Sequence, residues 1–299
     1  MGCRNSKQEI NLKVKIINEL RRDYPFITLL KVAGLARSTY YYHLACLNRP
    51  DKHRQIKQII RQEFVRSHQT YGYRRMKLVL KKHHVKLCLE TIRKIMFSMG
   101  LKVTLFSKHS GRYNSYHGHI GQVVPNLLNQ QFKAQKPYTV LHTDVSQFKL
   151  TCGKWGYIST VIDEASNEVL AAKVSSTPNR VLINQTLETV IKKIPATTKP
   201  ILHSDQGWQY QMTNYQVKLR HHHFIQSMSR KGNCLDNAPV ESFFSMLKRE
   251  CLRRVRITSL SELSTLVEHY VAWYNTQRIS LKRHGLTPVE YRKQYLANN

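Results

Sequence analysis

The sequence predicts an all-α N-terminal region followed by an α/β core built on a mixed sheet. Up to residue 108, apolar residues recur with helical spacing, and turn residues separate the segments. From Tyr138 onward, short apolar strands alternate with amphipathic helices, which is typical of a sheet with helices on its faces. A large basic excess accompanies this change of pattern, with 48 Lys and Arg against 18 Asp and Glu.

The basic excess favours a nucleic-acid partner. Residues 1–137 contain 27 basic and 6 acidic residues, whereas residues 138–299 contain 21 basic and 12 acidic residues. Such an imbalance favours a polyanion, so we expect the front half to grip DNA, with a membrane surface as the weaker alternative. The sequence has neither an apolar run of spanning length nor an apolar signal segment, which predicts a cytoplasmic, nucleoid-associated protein without a membrane partner.

Residues 1–50 are predicted to form an N-terminal helix-turn-helix. The stretch 26–45 reads as an apolar helix ending at Gly34 and a second helix beginning at Thr39, capped by Ser38. Arg37 and Tyr40 then lie near the end that would read bases. Helix-turn-helix outlines also occur as plain structure, so the pattern leaves DNA contact as one of two interpretations.

Residues 51–108 are predicted to form a second helical DNA-binding domain. Its middle helix, YGYRRMKLVLKKHHV, begins after Gly72 and is strongly basic. We expect Arg74 and Arg75 to face outward towards phosphates, although a solvated surface explains any single basic residue equally well. Residues 109–137 lack periodicity and are rich in Ser, Gly, Asn and Gln, which predicts a linker.

Residues 138–255 are predicted to form the catalytic core, and residues 256–299 a helical tail. Three acids of the core stand out: Asp144 within the first strand, Asp205 at the end of the fourth, and Glu241 inside a helix. Carboxylates that converge at one sheet edge repel each other, and hard cations that prefer oxygen ligands stabilise them. Two Mg²⁺ or Mn²⁺ ions there could activate an attacking oxygen and stabilise the leaving one.

Other acids of the core have ordinary explanations. Asp163 reads as a turn residue, and we expect Glu164, Glu168 and Glu250 to be solvated.

Four stretches carry a resemblance to a known family: HTDVSQF, ILHSDQGWQY, SMSRKGNCLDNAPVESFFSMLKRE and WYNTQRISLKRHGLTPVEYR. They resemble the second-reading-frame product of bacterial insertion sequences in the IS-three family, and through the same core the retroviral integrases. The resemblance covers about residues 10–295. Asp205 and Glu241 match the family's D-x35-E spacing, and Lys248 matches its basic residue seven positions after the Glu.

The resemblance implies an RNase H-like core that performs two phosphoryl transfers, first 3′-end cleavage and then strand transfer. By analogy, Arg230, Lys231 and Asn237 would hold DNA near the scissile phosphate, and Lys248 would reach a phosphate beside the metals. The family implies DNA ends and target DNA as partners, and a homo-oligomer on DNA.

Two departures from the family pattern accompany the resemblance. The chain lacks a sustained heptad repeat, so we expect it to work with an upstream reading-frame protein or as a fusion to it. The tail has no His soon after Arg278, which leaves the role of that arginine open. Two other functions remain as alternatives: a DNA-binding regulator of the element without catalysis, and an RNase H-type nuclease that cuts without joining.

Overall fold

A computed structural model describes residues 2–103, 123–230 and 234–298. The chain forms two compact units, Met1–Gln58 and Ile59–Asn299. Within the described ranges, no helix combines the length and the apolar character needed to cross a bilayer.

The first unit contains three helices, α1 (Gly2–Leu20), α2 (Phe26–Ala33) and α3 (Arg37–Asn48). Its core forms around Val14, Ile17, Leu30 and Tyr40. Gly34 ends α2 in a left-handed conformation at φ 65°, as the sequence predicts.

The predicted start of α3 is wrong by two residues. The helix begins at Arg37 after the extended residue Ala36, without a side-chain cap, so Ser38 already lies inside the first turn. The prediction that Tyr40 meets DNA is also wrong. Its ring is fully buried in the core, and its hydroxyl donates a 3.2 Å hydrogen bond to Asn18 Oδ1.

A helical segment follows: α4 (Arg54–Arg66), α5 (Tyr73–Lys82) and α6 (Leu89–Ser98). The second unit begins within α4, at Ile59. Helices α5 and α6 pack through apolar faces that are buried at Met76, Leu80 and Ile92. Outside this face the helices are basic, as the sequence predicts.

Within the described residues, five strands form one mixed sheet in the order β3-β2-β1-β4-β5. The strands are β1 (Val140–Lys149), β2 (Trp155–Asp163), β3 (Val169–Ser175), β4 (Ile201–Ser204) and β5 (Ile225–Met228). β1, β2 and β3 form an antiparallel meander, whereas β4 pairs with β1 in parallel, and β5 with β4. The sheet confirms the predicted mixed α/β class.

Helices pack on this sheet: α7 (Arg180–Lys193), α8 (Thr213–His221), α9 (Ala238–Glu250) and α10 (Leu260–Thr276). Helix α11 (Pro288–Ala297) packs on α10. Several of their ends are fixed by local sequence. The side chains of Asn179 and Ser259 cap α7 and α10, and Thr287 and Glu290 form a capping box that starts α11. The sequence predicts a break of the helical tail near residues 284–288. The observed break is longer, because α10 already ends at Thr276 and α11 begins at Pro288.

A buried ion pair fastens α9 to the tail. Arg278 donates to both carboxylate oxygens of Glu250 at 2.8 and 2.6 Å, and Tyr270 donates a third bond at 2.9 Å. Both partners of the pair are buried, so the expectation that Glu250 is solvated is wrong. A buried carboxylate is costly unless it is paired, and here Arg278 supplies the opposite charge while Tyr270 adds a hydrogen bond.

Tyr71 links the helical segment to the same tail. Its hydroxyl donates to the Gln277 carbonyl at 2.9 Å and accepts from the Ile279 N–H at 2.8 Å. The guanidinium of Arg75 lies 5.6 Å from the centre of the Tyr71 ring. Burial and the nearby positive charge of Arg278 lower the pKa of Arg75. Arg75 is half-buried beside Tyr71, whereas the sequence predicts that it faces outward.

Candidate active site

The two candidate aspartates belong to neighbouring parallel strands: Asp144 lies within β1, and Asp205 directly follows β4. His142 of β1 pairs with His203 of β4, and each aspartate comes two residues after its histidine. Adjacent strands lie about 4.8 Å apart, so this register brings Asp144 and Asp205 side by side. The repeated pattern His-x-Asp therefore reflects the register of the sheet.

Backbone N–H groups hold both aspartates. Asp144 Oδ1 accepts from the Val145 N–H at 2.7 Å, and Asp205 Oδ1 accepts from the Gly207 N–H at 2.9 Å. A Cβ added at Gly207 would lie 2.9 Å from Asp205 Oδ1, so a side chain there would disturb the carboxylate. The glycine keeps this turn close to the acid.

Burial raises the proton affinity of both carboxyls, and Asp205 adds to the effect at Asp144. Burial raises the pKa of Asp144 well above its usual range, and the charge of Asp205 raises it further. Burial likewise raises the pKa of Asp205. The charge of Glu241 also raises the pKa of Asp144, whereas Lys248 lowers it. The side chains of Asp205, Glu241 and Lys248 are therefore all close enough to Asp144 for their charges to influence its ionisation.

Helix α9 brings Glu241 and Lys248 to this volume. The two residues are seven apart, nearly two helical turns, so they share a face with Ser245 between them. That face lines a cavity of about 240 Å³ together with Asp144 and Ser146 of β1. Acids therefore occupy one end of the helix face, and the ammonium of Lys248 occupies the other.

Buried polar residues join α9 to β1 behind the acids. Asn237 precedes α9 and donates from Nδ2 to the Thr143 carbonyl at 3.0 Å. Its Oδ1 accepts from His142 Nδ1 at 3.0 Å, and His142 Nε2 lies 2.8 Å from Glu164 Oε2. The prediction that Asn237 contacts DNA is wrong, because the side chain is buried and fully engaged.

Glu164 and Glu168 are also buried, contrary to the prediction that they are solvated. Glu168 pairs with Arg292 of α11, and Glu164 additionally accepts from the Ala134 N–H at 2.9 Å. Asp163 accepts from the Ser166 N–H and hydroxyl, which confirms it as a turn residue. Sequence reasoning missed the supporting role of His142, although the repeated His-x-Asp pattern was its signal.

The predicted DNA contacts fall into different surroundings. Arg230 donates to both carboxylate oxygens of the buried Asp236, at 3.1 and 2.9 Å, while over half of its side chain stays exposed. Arg37 and Arg74 are exposed, as predicted. Lys231 lies outside the described residues.

The acids suit a hard divalent cation by their chemistry. Carboxylate oxygens are the ligands that Mg²⁺ prefers, and a cation would relieve the repulsion that raises the pKa of Asp144. In the described ranges, no three His, Cys, Asp or Glu side chains already stand together as a metal-binding group.

Comparisons with known families divide the chain into three matches. An HTH-like domain matches residues 50–109. Two families described as integrase core domain match residues 134–234 and 241–296. The two integrase matches together include all three candidate acids.

Similar proteins occur in enteric bacteria. The chain is 43% identical over 281 residues to a putative transposase of insertion element IS150 from Escherichia coli, covering 94% of this chain and 98% of that protein. It is 33% identical to a probable transposase of IS1353 from Shigella flexneri, covering 94% of this chain but 54% of that protein. It is 29% identical to the IS3A transposase of Escherichia coli, covering 96% of this chain and 100% of that protein.

Among solved structures, the catalytic core domain of HTLV-2 integrase in complex with magnesium aligns with a TM-score of 0.40 and 15% identity, covering 52% of this chain and 97% of that one. A simian T-cell lymphotropic virus intasome aligns with a TM-score of 0.46 and 14% identity, covering 78% of this chain and 74% of that one.

Proposed function

Because the chain belongs to the bacterial insertion-sequence transposases related to IS150 and IS3, we propose that it cleaves the 3′ ends of its element and joins them to target DNA at Asp144, Asp205 and Glu241. The observation that carries the proposal is the register of β1 and β4, which sets the two aspartates side by side. Helix α9 adds Glu241 and Lys248 on one face of the same cavity.

The proposed reaction consists of two in-line displacements at phosphorus. In the first, water attacks a phosphodiester at the element end and a 3′-OH is released. In the second, that 3′-OH attacks a phosphodiester of the target strand, and a new 3′-OH leaves. The chain forms no covalent bond to DNA in either step, so catalysis depends on positioning and charge.

Asp144, Asp205 and Glu241 would hold Mg²⁺ or Mn²⁺, as two ions. When bound, such ions polarise the phosphate and lower the pKa of the attacking oxygen. Gly207 and Val145 keep the aspartate oxygens in place through their N–H groups.

The helices before the core supply DNA binding in this proposal. The HTH-like domain matches residues 50–109, and its helix α5 exposes Arg74 and Lys77. Arg37 is exposed at the start of α3 and would contribute contacts from the first unit. We assign residues 1–50 and 51–108 to DNA binding, 109–137 to a linker, 138–255 to catalysis and 256–299 to the tail.

Pairing of two DNA ends requires more than one copy, so we propose that the chain acts as a homo-oligomer on DNA. An upstream reading-frame protein or fusion is a further proposed partner. The IS1353 relative supports it, because this chain spans about half of that protein's length.

The test uses purified protein, Mg²⁺ or Mn²⁺, and labelled duplexes that carry the element's own ends. We expect nicking at the terminal 3′ end and joined products, both lost in Asp144→Asn, Asp205→Asn and Glu241→Gln. Glu188→Gln is the matched control, because Glu188 is an exposed acid of α7 that pairs with Lys218. This variant should keep wild-type activity.

The alternatives give different results in the same assay. Specific binding without metal-dependent nicking would indicate a regulator, and cutting without joining would indicate a nuclease. Full strand transfer by all three acid variants would overturn the site assignment.

A further inference from the structure

The cavity beside the candidate acids contains a cation that the reaction as described above does not use. We propose that Arg253, together with Lys248, forms a phosphate-binding subsite that holds the DNA phosphate next to the scissile one. This inference rests on the proposed function and deepens it, because it assigns the basic end of the same cavity. The ligand class is a phosphodiester of the DNA strand under attack.

Local structure fixes the direction of Arg253. It lies in the 3₁₀ turn Leu252–Arg254 that follows α9. Leu252 is fully buried and anchors the turn in the core. On the other side, the Arg254 guanidinium donates to the carbonyls of His68 and Glu250. A turn fastened on both sides leaves Arg253 lining the cavity with Asp144, Glu241 and Lys248.

Arg253 is the cation of this cavity end on which the proposal depends. Among the described residues, the exposed side chain of Arg253 has no hydrogen-bond or ion-pair partner. Burial lowers the pKa of Lys248, and the nearby charge of Arg253 lowers it further. Two cations that repel each other in a partly desolvated cavity favour an anion between them.

A phosphodiester fits this end of the cavity. A guanidinium presents a planar fork of donors that matches two phosphate oxygens, and an ammonium adds a point charge. The hydroxyls of Ser146 and Ser245 line the cavity between the basic and acidic ends. A DNA strand offers successive phosphates, so one can lie at the acids while its neighbour lies at Arg253 and Lys248.

The experiment compares Arg253→Ala with Arg256→Ala. Arg256 is exposed three residues further on and does not line the cavity, so it controls for the loss of one positive charge. DNA-end binding is measured against salt concentration in Ca²⁺, and nicking rates in Mg²⁺. For Arg253→Ala we expect roughly tenfold weaker binding and a salt slope smaller by about one. Arg256→Ala should resemble wild type.

A modified substrate supplies the sharper test. A neutral methylphosphonate replaces each phosphate beside the scissile one in turn. At one position, the methylphosphonate should lower the DNA affinity of the wild-type protein to that of Arg253→Ala. The affinity of Arg253→Ala itself should not change at that position. Arg253→Lys should recover part of the binding, because it restores the charge without the fork.

Two outcomes would overturn the subsite. One is an Arg253→Ala variant that matches Arg256→Ala in affinity and salt slope. The other is a methylphosphonate series in which every position weakens DNA binding by the same factor in Arg253→Ala as in the wild-type protein. If wild type binds DNA ends but never nicks them, the proposed function fails, and the binding measurements alone still decide the subsite.

Discussion

Arg278→Met should strongly destabilise the second unit. The substitution removes two hydrogen bonds of 2.8 and 2.6 Å and leaves the Glu250 carboxylate buried with only the Tyr270 hydroxyl as a donor. Breaking a buried ion pair by removing one partner costs about 3–5 kcal/mol, whereas Met keeps most of the apolar stem. We therefore expect the free energy of unfolding to fall by that amount.

Urea unfolding followed by tryptophan fluorescence measures this change. Trp155, Trp208 and Trp273 are the tryptophans of the sequence, and all belong to the second unit, so the signal reports that unit. Arg256→Met is the control, because substitution of an exposed residue usually changes stability by no more than about 0.5 kcal/mol. A loss below about 1 kcal/mol for Arg278→Met would refute the reasoning.

The double variant with Glu250→Met and Arg278→Met separates the cost of an unpaired charge from lost packing. Two apolar residues leave no buried charge, so most of the lost stability should return.

A pH titration adds a second check on the pair of Glu250 and Arg278. Burial raises the pKa of Glu250, but the hydrogen bonds and charge of Arg278 outweigh burial and hold it below its usual value. The ion pair therefore contributes its full stabilisation at pH values above the pKa that Glu250 has in the unfolded chain. This stabilisation is lost as the pH falls through the lower pKa that Glu250 has in the folded protein.

Three further predictions follow from the site and the first unit. Asp144→Asn should abolish nicking, yet it should raise the free energy of unfolding in the absence of divalent cations. The reason is that the raised pKa of Asp144 makes its ionised form costly in the folded protein as the pH rises. Equal urea midpoints for the variant and the wild-type protein at pH 8 would contradict this. Gly207→Ala should raise the Mg²⁺ concentration needed for half-maximal nicking, because the new Cβ crowds Asp205 Oδ1, and an unchanged Mg²⁺ titration would contradict it. Tyr40→Ala should destabilise the first unit by about 3–5 kcal/mol in a calorimetric scan, whereas Arg37→Ala should weaken DNA binding and leave that transition in place.

The sequence predicts the sheet and its acids well because both depend on local patterns. Strand length, helix periodicity and turn residues are read from neighbouring positions. Five stretches read as strands, and each contains one of β1 to β5: 138–150, 154–166, 168–176, 199–207 and 224–229. The two aspartates share a sequence signal, because each comes two residues after a histidine of its strand. The sequence does not say, however, that the two aspartates lie side by side. That follows from the parallel register of β1 and β4, in which His142 pairs with His203.

Errors arose where a distant partner determines the environment of a polar residue. Glu250 looks like a solvated acid of an amphipathic helix until Arg278, twenty-eight residues away, is placed beside it. Arg75 fits the outward face of α5 by periodicity, yet the tail covers it. Asn237 sits in a polar loop but is buried against Thr143, on a strand that begins nearly a hundred residues earlier. Periodicity carries no information about such partners.

The hydrogen bonds of the Tyr71 hydroxyl join two parts of the chain that are synthesised at very different times. Its two backbone partners, Gln277 and Ile279, lie 206 and 208 residues further along the sequence. At about 5–20 residues per second, a ribosome needs roughly 10–40 s to reach them after making Tyr71. During that interval the Tyr71 hydroxyl has neither backbone partner, so the contact between the helical segment and the tail forms only after almost the whole chain has been made.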